Sequence, residues 1–102
     1  MIVSVSKDEV KITELSQVNQ GDYKVNLCKF ILPDCFSGLS VTAVFNGIHV
    51  PVAGNRCYIP NLENGNCILG VYAYKEENGE TTLMYSPKPT VFYVDRGSFT
   101  TD

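Results

Sequence analysis

The stretch TAVFNGIHVPV, residues 42–52, places an Asn-Gly pair between two short apolar runs. Asn-Gly flanked by alternating apolar residues is a strong signal for a β-hairpin with a two-residue type I′ turn. Such a turn needs positive φ at both central positions. Asn46 tolerates this conformation, and Gly47 adopts it without a steric penalty because it has no Cβ. The sequence therefore predicts a hairpin that turns at Asn46 and Gly47.

The turn also fixes the pairing register of the hairpin. It brings five pairs of residues opposite one another: Phe45 and Ile48, Val44 and His49, Ala43 and Val50, Thr42 and Pro51, Val41 and Val52. Because side chains alternate between the two faces of a strand, one face is wholly apolar and the face carrying Thr42 and His49 is more polar. Pro51 falls in a non-hydrogen-bonded pair, so its missing N–H points away from the first strand. We therefore predict that the second strand lies at a sheet edge or ends there.

The rest of the chain repeats this pattern of short strands and turns. The other candidate strands are MIVSV, VKITEL, YKVNLCKFIL, RCYIP, CILGVYAY, TTLMYS and TVFYVD. The apolar phase of YKVNLCKFIL shifts near Leu27, which indicates two buried faces or a β-bulge. PDCFSGL indicates a single helical turn between Asp34 and Gly38. Gly70 indicates a bulge or a large side chain packed over bare backbone. The last residues, RGSFTTD, form a polar tail.

Strand number and spacing indicate the fold class. About seven to eight short strands at roughly ten-residue spacing, separated by turn signals, are typical of an antiparallel β-sandwich or barrel. We expect an all-β fold, an antiparallel β-sandwich of the Ig-like kind. At 102 residues, the chain is expected to form a single domain, residues 1–102, with one modest core.

Composition argues against several classes of function. The net charge is −3 and no cluster of basic residues is present, so we expect no nucleic-acid binding. No apolar run approaches the ~18 residues of a membrane span, so we expect no membrane insertion. The start of the chain, MIVSVSKDEV, lacks a basic leader and a cleavage site, so we expect folding in a cytosol.

Four cysteines allow two interpretations. Cys28, Cys35, Cys57 and Cys67 suit two disulfides in a secreted chain or unpaired thiols in a reducing compartment. Without a secretory leader we favour reduced thiols. Their spacings of six, twenty-one and nine intervening residues match no zinc pattern, so no metal and no cofactor is expected. Cys57 and Cys67 flank a turn, which makes proximity between them a geometric possibility.

Catalytic motifs are missing from the sequence. Its single histidine, His49, lies in a hairpin strand whose other residues serve packing, and no G-x-S-x-G or phosphate-binding glycine loop is present. Glu76, Glu77 and Glu80 cluster in one charged turn, whereas acid–base catalysis needs paired carboxylates in a cleft. We therefore expect a protein that is not an enzyme.

The tyrosines and the edge strand suggest a binding role instead. Tyr is enriched at interfaces because its ring is apolar and its hydroxyl is polar. Tyr72 and Tyr74 are expected to share one face of a strand. The residues that we expect at an interface are Ile48, His49, Pro51, Tyr58, Tyr74 and Tyr85. Exposed tyrosines on a β-sandwich also suit a small carbohydrate-binding or adhesion module, which is the alternative function.

Several short motifs between Cys28 and Tyr72 resemble a family of short structural domains from phages and prophages of Firmicutes. The shared residues are Cys28 and Phe30, Gly38 and Leu39, the run Thr42-Ala43-Val44-Phe45, Cys57, Ile59 and Pro60, and Leu69-Gly70-Val71-Tyr72. Phe36 stands where the family usually has tryptophan. Most of these residues are core and turn residues, so the resemblance supports the fold more directly than it supports the function.

This resemblance implies a virion structural protein, similar to baseplate upper proteins and to the domains that anchor tail fibres or head fibres. It implies an assembly or attachment module that contacts other virion structural proteins and forms a homo-oligomer. The expected location is the virion, assembled in the cytoplasm of the bacterial host. Assembly in that reducing compartment also suits unpaired cysteines.

Overall fold

The structure is a computed structural model and describes residues 1–98. Nine strands and one 3₁₀ turn (Asp34–Phe36) make up the regular structure of this part of the chain. The strands are β1 Ile2–Val5, β2 Val10–Glu14, β3 Leu27–Ile31, β4 Ser40–Phe45, β5 Ile48–Val52, β6 Arg56–Tyr58, β7 Gly65–Glu77, β8 Glu80–Tyr85 and β9 Thr90–Val94. Residues 99–102, which end the polar tail expected from the sequence, lie outside the described residues.

The strands form two sheets, which confirms the expected all-β sandwich. The four-stranded sheet has the order β2-β1-β3-β6. The five-stranded sheet has the order β5-β4-β7-β8, and β9 also pairs with β7. All of these pairings are antiparallel except β1 with β3, which the sequence analysis did not foresee. A parallel pair needs a crossover of about a dozen residues, and the segment between β2 and β3 supplies it.

The hairpin at the centre of the sequence analysis is present in the expected register. β4 and β5 pair from Phe45 opposite Ile48 to Val41 opposite Val52. Asn46 and Gly47 have φ of 49° and 83°, as a type I′ turn requires. β5 is an edge strand. The expectation of a polar second face fails at Thr42, which is buried because Pro51 and Tyr72 flank it from the neighbouring strands.

Asn46 also ties the hairpin turn to β7. Its Oδ1 accepts a hydrogen bond from the Ile68 N–H at 2.7 Å, and its Nδ2 donates to the Asn66 carbonyl at 3.2 Å. A third hydrogen bond runs from the Asn46 N–H to the Ile68 carbonyl at 3.0 Å. The side chain therefore does more than tolerate positive φ, because it joins three strands at one point.

We expect Asn46→Ala to lower the free energy of unfolding by about 2–3 kcal/mol. The substitution removes two side-chain hydrogen bonds and places alanine at positive φ. Asn46→Gly is the matched control, since it loses the same side-chain hydrogen bonds but has no Cβ that disfavours positive φ. It should cost about 1 kcal/mol less than Asn46→Ala. Urea denaturation of the three proteins measures both differences, and equal stability of Asn46→Ala and wild type would contradict the assignment.

β7 is the central strand of the larger sheet. Its thirteen residues pair with β4 on one edge, and on the other edge with β9 and then β8. Alternate residues of β7 point into the core. The fully buried side chains of largest volume in the core are Phe45, Ile59, Leu69, Val3, Val18, Val94, Cys28 and Cys67. Gly70 forms no bulge; a Cβ there would lie 3.9 Å from the Cβ atoms of Pro89 and Val44. The bulge lies between Ala73 and Tyr74 instead.

The expected strand YKVNLCKFIL is wrong in its first half. Lys24 has φ of 54°, which interrupts an extended strand, and β3 begins only at Leu27. Tyr23 and Val25 are exposed. The phase shift near Leu27 therefore marks the start of the strand and not a bulge within it. The helical turn after Pro33 is present as the 3₁₀ turn, although no side chain caps it.

All four cysteines are free thiols, and three of them are buried. Cys28 and Cys57 lie opposite each other in the β3–β6 pair, whereas Cys67 belongs to the other sheet. Cys57 is therefore close to Cys28, and its proximity to Cys67 stays a prediction. Burial raises the pKa of the Cys28 thiol to about 12, with a further contribution from Cys57. Burial also raises the pKa of Cys57 and of Cys67 to about 11.

Candidate protein-binding surface

The six residues expected at an interface do not form one patch. Pro51 and Tyr74 line a shallow depression beside the 3₁₀ turn, and Pro51 also lines an apolar groove with Tyr58. Ile48 borders a different depression near Gln20. Their involvement in an interface stays a prediction.

Three of the six, Tyr85, His49 and Tyr74, make defined contacts with other side chains. Tyr85 stacks on Phe36 with 5.3 Å between ring centroids, so its ring packs against the core. The exposed His49 joins Tyr72 through a hydrogen bond of 3.0 Å between Nδ1 and the tyrosine hydroxyl. The ring of Tyr72 lies 5.7 Å from that of Tyr74 at an interplanar angle of 37°. As expected, Tyr72 and Tyr74 share a face, and with His49 they form a ridge of three rings.

This ridge belongs to a larger apolar surface on the outward side of the five-stranded sheet. The register places Ile68 beside Val91, while Tyr93 follows on the same side of β9. These three side chains are each more than half exposed. We call this surface the aromatic face and define it by Ile68, Tyr72, Tyr74, Val91 and Tyr93.

The aromatic face carries no charged side chain at its centre. Among the described residues, the outward positions of β4, β7 and β9 around it are Ser40, Thr42, Val44, Asn66, Ile68, Gly70, Tyr72, Tyr74, Val91 and Tyr93. Depletion of charge and enrichment in tyrosine distinguish the buried centre of protein interfaces from ordinary surface. Beyond it, the β7–β8 hairpin carries Lys75, Glu76, Glu77 and Glu80.

Sequence analysis missed the exposed aliphatic part of this surface. Ile68 and Val91 were assigned to strands without a statement about which side they face. The alternation of CILGVYAY supplies the missing signal, since Ile68 is out of phase with the buried Cys67 and Leu69. Placing Val91 beside it requires the β7–β9 pairing, which sequence alone does not give.

The described residues offer little for metal binding. Between residues 1 and 98, no group of three or more His, Cys, Asp or Glu residues is arranged to hold a metal ion. In the same part of the chain, no helix is long and apolar enough to cross a membrane.

The fold is similar to that of the N-terminal domain of phage TP901-1 ORF48. The TM-score is 0.61 at 13% sequence identity, and the match covers 92% of this chain and 96% of the other. At this identity the likeness establishes the fold, and coverage of both chains shows that the similarity extends over nearly all of each. No family model matches the chain, and no curated protein sequence matches it.

Proposed function

We propose that this protein is a structural module of a phage particle that acts in assembly or attachment through contacts with other virion proteins. The observation that carries the proposal is the fold, which over almost its full length is similar to a domain of a phage protein. The motif resemblance to phage structural domains, noted from Cys28 to Tyr72, is an independent argument in the same direction. A position in the baseplate or at the anchor of a tail fibre or head fibre follows from that resemblance.

The aromatic face is the surface that we propose for contact with a neighbouring virion protein. It is apolar, uncharged at its centre and rimmed by polar residues, which is the anatomy of a protein interface. Its tyrosines contribute large contact area at small entropic cost. The partner is therefore expected to present a complementary apolar patch, and not a charged one.

Val91→Lys should weaken binding to the neighbouring virion protein by at least about tenfold, because it places a charge within the desolvated contact. Val91 is 55% exposed, so the substitution should leave the fold intact. Ile31→Lys is the matched control, since Ile31 is 59% exposed but lies on the four-stranded sheet. Ile31→Lys should bind like wild type.

The measurement needs purified particles of the phage that encodes the chain. Mass spectrometry of the particles identifies the virion proteins, and pull-down with each of them gives the partner and its affinity for the three proteins. Absence of the chain from the particles, together with no binding to any virion protein, would overturn the proposal. Equal loss of binding in both lysine variants would remove the assignment to the aromatic face.

A carbohydrate-binding or adhesion module is the second candidate, and the ring ridge favours it. Tyr72 and Tyr74 offer ring faces for stacking on a sugar, and the His49 imidazole adds a polar group beside them. A glycan array followed by NMR titration tests this function. Binding that is lost in Tyr72→Ala would support it, whereas no binding at millimolar glycan concentrations would exclude it.

A further inference from the structure

We propose that two copies of this chain pair through their β8 strands, in antiparallel orientation and centred on Thr82, to form a continuous sheet across a twofold axis. This inference deepens the proposed function, on which it rests, because it names the surface through which the module forms a homo-oligomer. It concerns the edge of the larger sheet and not the aromatic face.

β8 is an edge strand that lacks most of the usual protection against pairing. Among the described residues, only β7 pairs with it. Natural edges are made unattractive by proline, by charged side chains and especially lysine, by shortness, by β-bulges or by a covering segment. Of these features β8 has only Glu80 at its start and the bulge opposite Ala73 and Tyr74. Three other edge strands show such features: β5 carries Pro51, β2 carries Lys11, and β6 has three residues. β8 has six residues, with neither proline nor lysine among them.

The side chains on β8 also favour a partner. Leu83 is 60% exposed and Met84 is 46% exposed, although both are large and apolar. Tyr74 lies opposite Leu83, so Leu83 continues the aromatic face to the edge of the sheet. A second strand laid against β8 would cover these side chains and join the aromatic faces of two copies into one surface.

The hydrogen-bonding groups that point outward can be assigned from the β7–β8 turn. Asn78 and Gly79 form a two-residue turn, with φ of 51° and 79°. Such a turn places its flanking pair, Glu77 and Glu80, in a hydrogen-bonded position, and the positions then alternate. Thr81 and Leu83 therefore belong to non-hydrogen-bonded pairs, so their N–H and C=O groups point away from β7.

These groups select the register in which two β8 strands can pair. In a twofold pair centred on Thr82, each Thr81 lies opposite the Leu83 of the other copy, and the outward groups of both residues are satisfied in both copies. Twofold registers centred on Thr81 or on Leu83 leave some of these outward N–H and C=O groups without a hydrogen-bond partner on the other copy. A parallel arrangement would place Glu80 beside its own copy, whereas the antiparallel one places Glu80 opposite Met84 and avoids that repulsion.

The pairing is small, so the isolated chain should dimerise weakly. One pair of edge strands buries far less than the roughly 800 Å² per partner of a standard interface. Affinity in the micromolar range or weaker is therefore expected in solution. In a particle, anchoring of both copies raises their effective concentration and makes the contact persistent.

Cysteine cross-linking tests the register in the isolated chain. The background is Cys35→Ser, because Cys35 is the exposed thiol. In the proposed dimer the two Thr82 Cα atoms are about 4.5 Å apart, within reach of a disulfide. The two Thr81 Cα atoms are farther apart than the ~7 Å limit. Thr82→Cys should therefore form a disulfide-linked dimer at least about tenfold faster than Thr81→Cys.

Proline supplies the matched test of backbone pairing. Thr81→Pro removes an outward N–H and no hydrogen bond to β7, as Pro51 does in β5. In the Thr82→Cys protein it should abolish cross-linking, while Thr81→Val, which keeps the N–H, should not. Amide exchange at Thr82 reports whether the hairpin stays folded. If it does not, the same comparison is made with Leu83→Pro and Leu83→Val.

Equal cross-linking at positions 81 and 82, no cross-linking at millimolar protein, or cross-linking that survives the proline in a folded hairpin would each overturn the proposal. The test contains no other virion protein. A chain that fails it but binds its particle would lose only this inference, whereas a chain that passes it but binds no virion protein would lose the proposed partner contact.

Discussion

Phe45→Ala is expected to lower the free energy of unfolding by about 3–5 kcal/mol. Phe45 is fully buried, and its ring lies edge-on to Phe92 with 6.4 Å between centroids. Alanine removes the contact that joins β4 to β9 across β7 and leaves a cavity in a core that has few ways to collapse. Urea denaturation, followed by far-UV circular dichroism, measures the loss.

The control for this substitution lies directly across the hairpin. Ile48 is the cross-strand partner of Phe45 but is 43% exposed. Ile48→Ala should therefore cost less than about 1 kcal/mol. A similar loss in both variants would show that the hairpin is not anchored to the core through Phe45 in the way that the structure describes.

Raising the pH above 9 is expected to destabilise the protein through its buried thiols. Their ordinary pKa is 9.0, and burial raises it to about 12 for Cys28 and about 11 for Cys57 and Cys67. The unfolded chain therefore loses its thiol protons at a lower pH than the folded chain. Stability from these groups is complete below pH 9 and is lost as the pH rises through 11 to 12. The slope approaches about 1.4 kcal/mol per pH unit for each thiol.

The triple variant Cys28→Ala, Cys57→Ala, Cys67→Ala separates this effect from other alkaline ionisations. Tyrosine and lysine side chains titrate in both proteins and cancel in the comparison. Wild type, kept reduced, should lose stability between pH 9 and 11 by about 3 kcal/mol per pH unit more than the variant. Parallel curves from urea denaturation at each pH would contradict the assignment to the thiols.

The hairpin illustrates which parts of the fold can be predicted from the sequence. Two-residue alternation and a turn with strict backbone demands are local, so the register from Val41 to Val52 follows from eleven or twelve residues alone. Pro51 likewise identifies its own strand as an edge, because the missing N–H is a property of one residue. Each of the nine strands overlaps a segment that the sequence analysis proposed as a strand, although the expected number was seven to eight.

The parts that sequence reasoning missed depend on distant residues. Lys24 interrupts the expected long strand because its φ is positive, and the residue type lysine does not predict that conformation. Thr42 is buried because Tyr72, thirty residues later, lies beside it. The aromatic face depends in the same way on the pairing of β7 with β9. The six expected interface residues were chosen by type, and type alone did not reveal that they lie in different parts of the surface.

β4, β8 and β9 all pair with one long strand, β7, and this arrangement delays folding during biosynthesis. β7 receives its last partner only when residue 94 has left the ribosome, so neither sheet-to-sheet packing nor the burial of Phe45 against Phe92 is complete before then. At about 5–20 residues per second, a finished β4–β5 hairpin waits a few seconds with its apolar side uncovered. This fold is therefore completed only after residue 94 has emerged, and that interval is when the nascent protein most needs a chaperone.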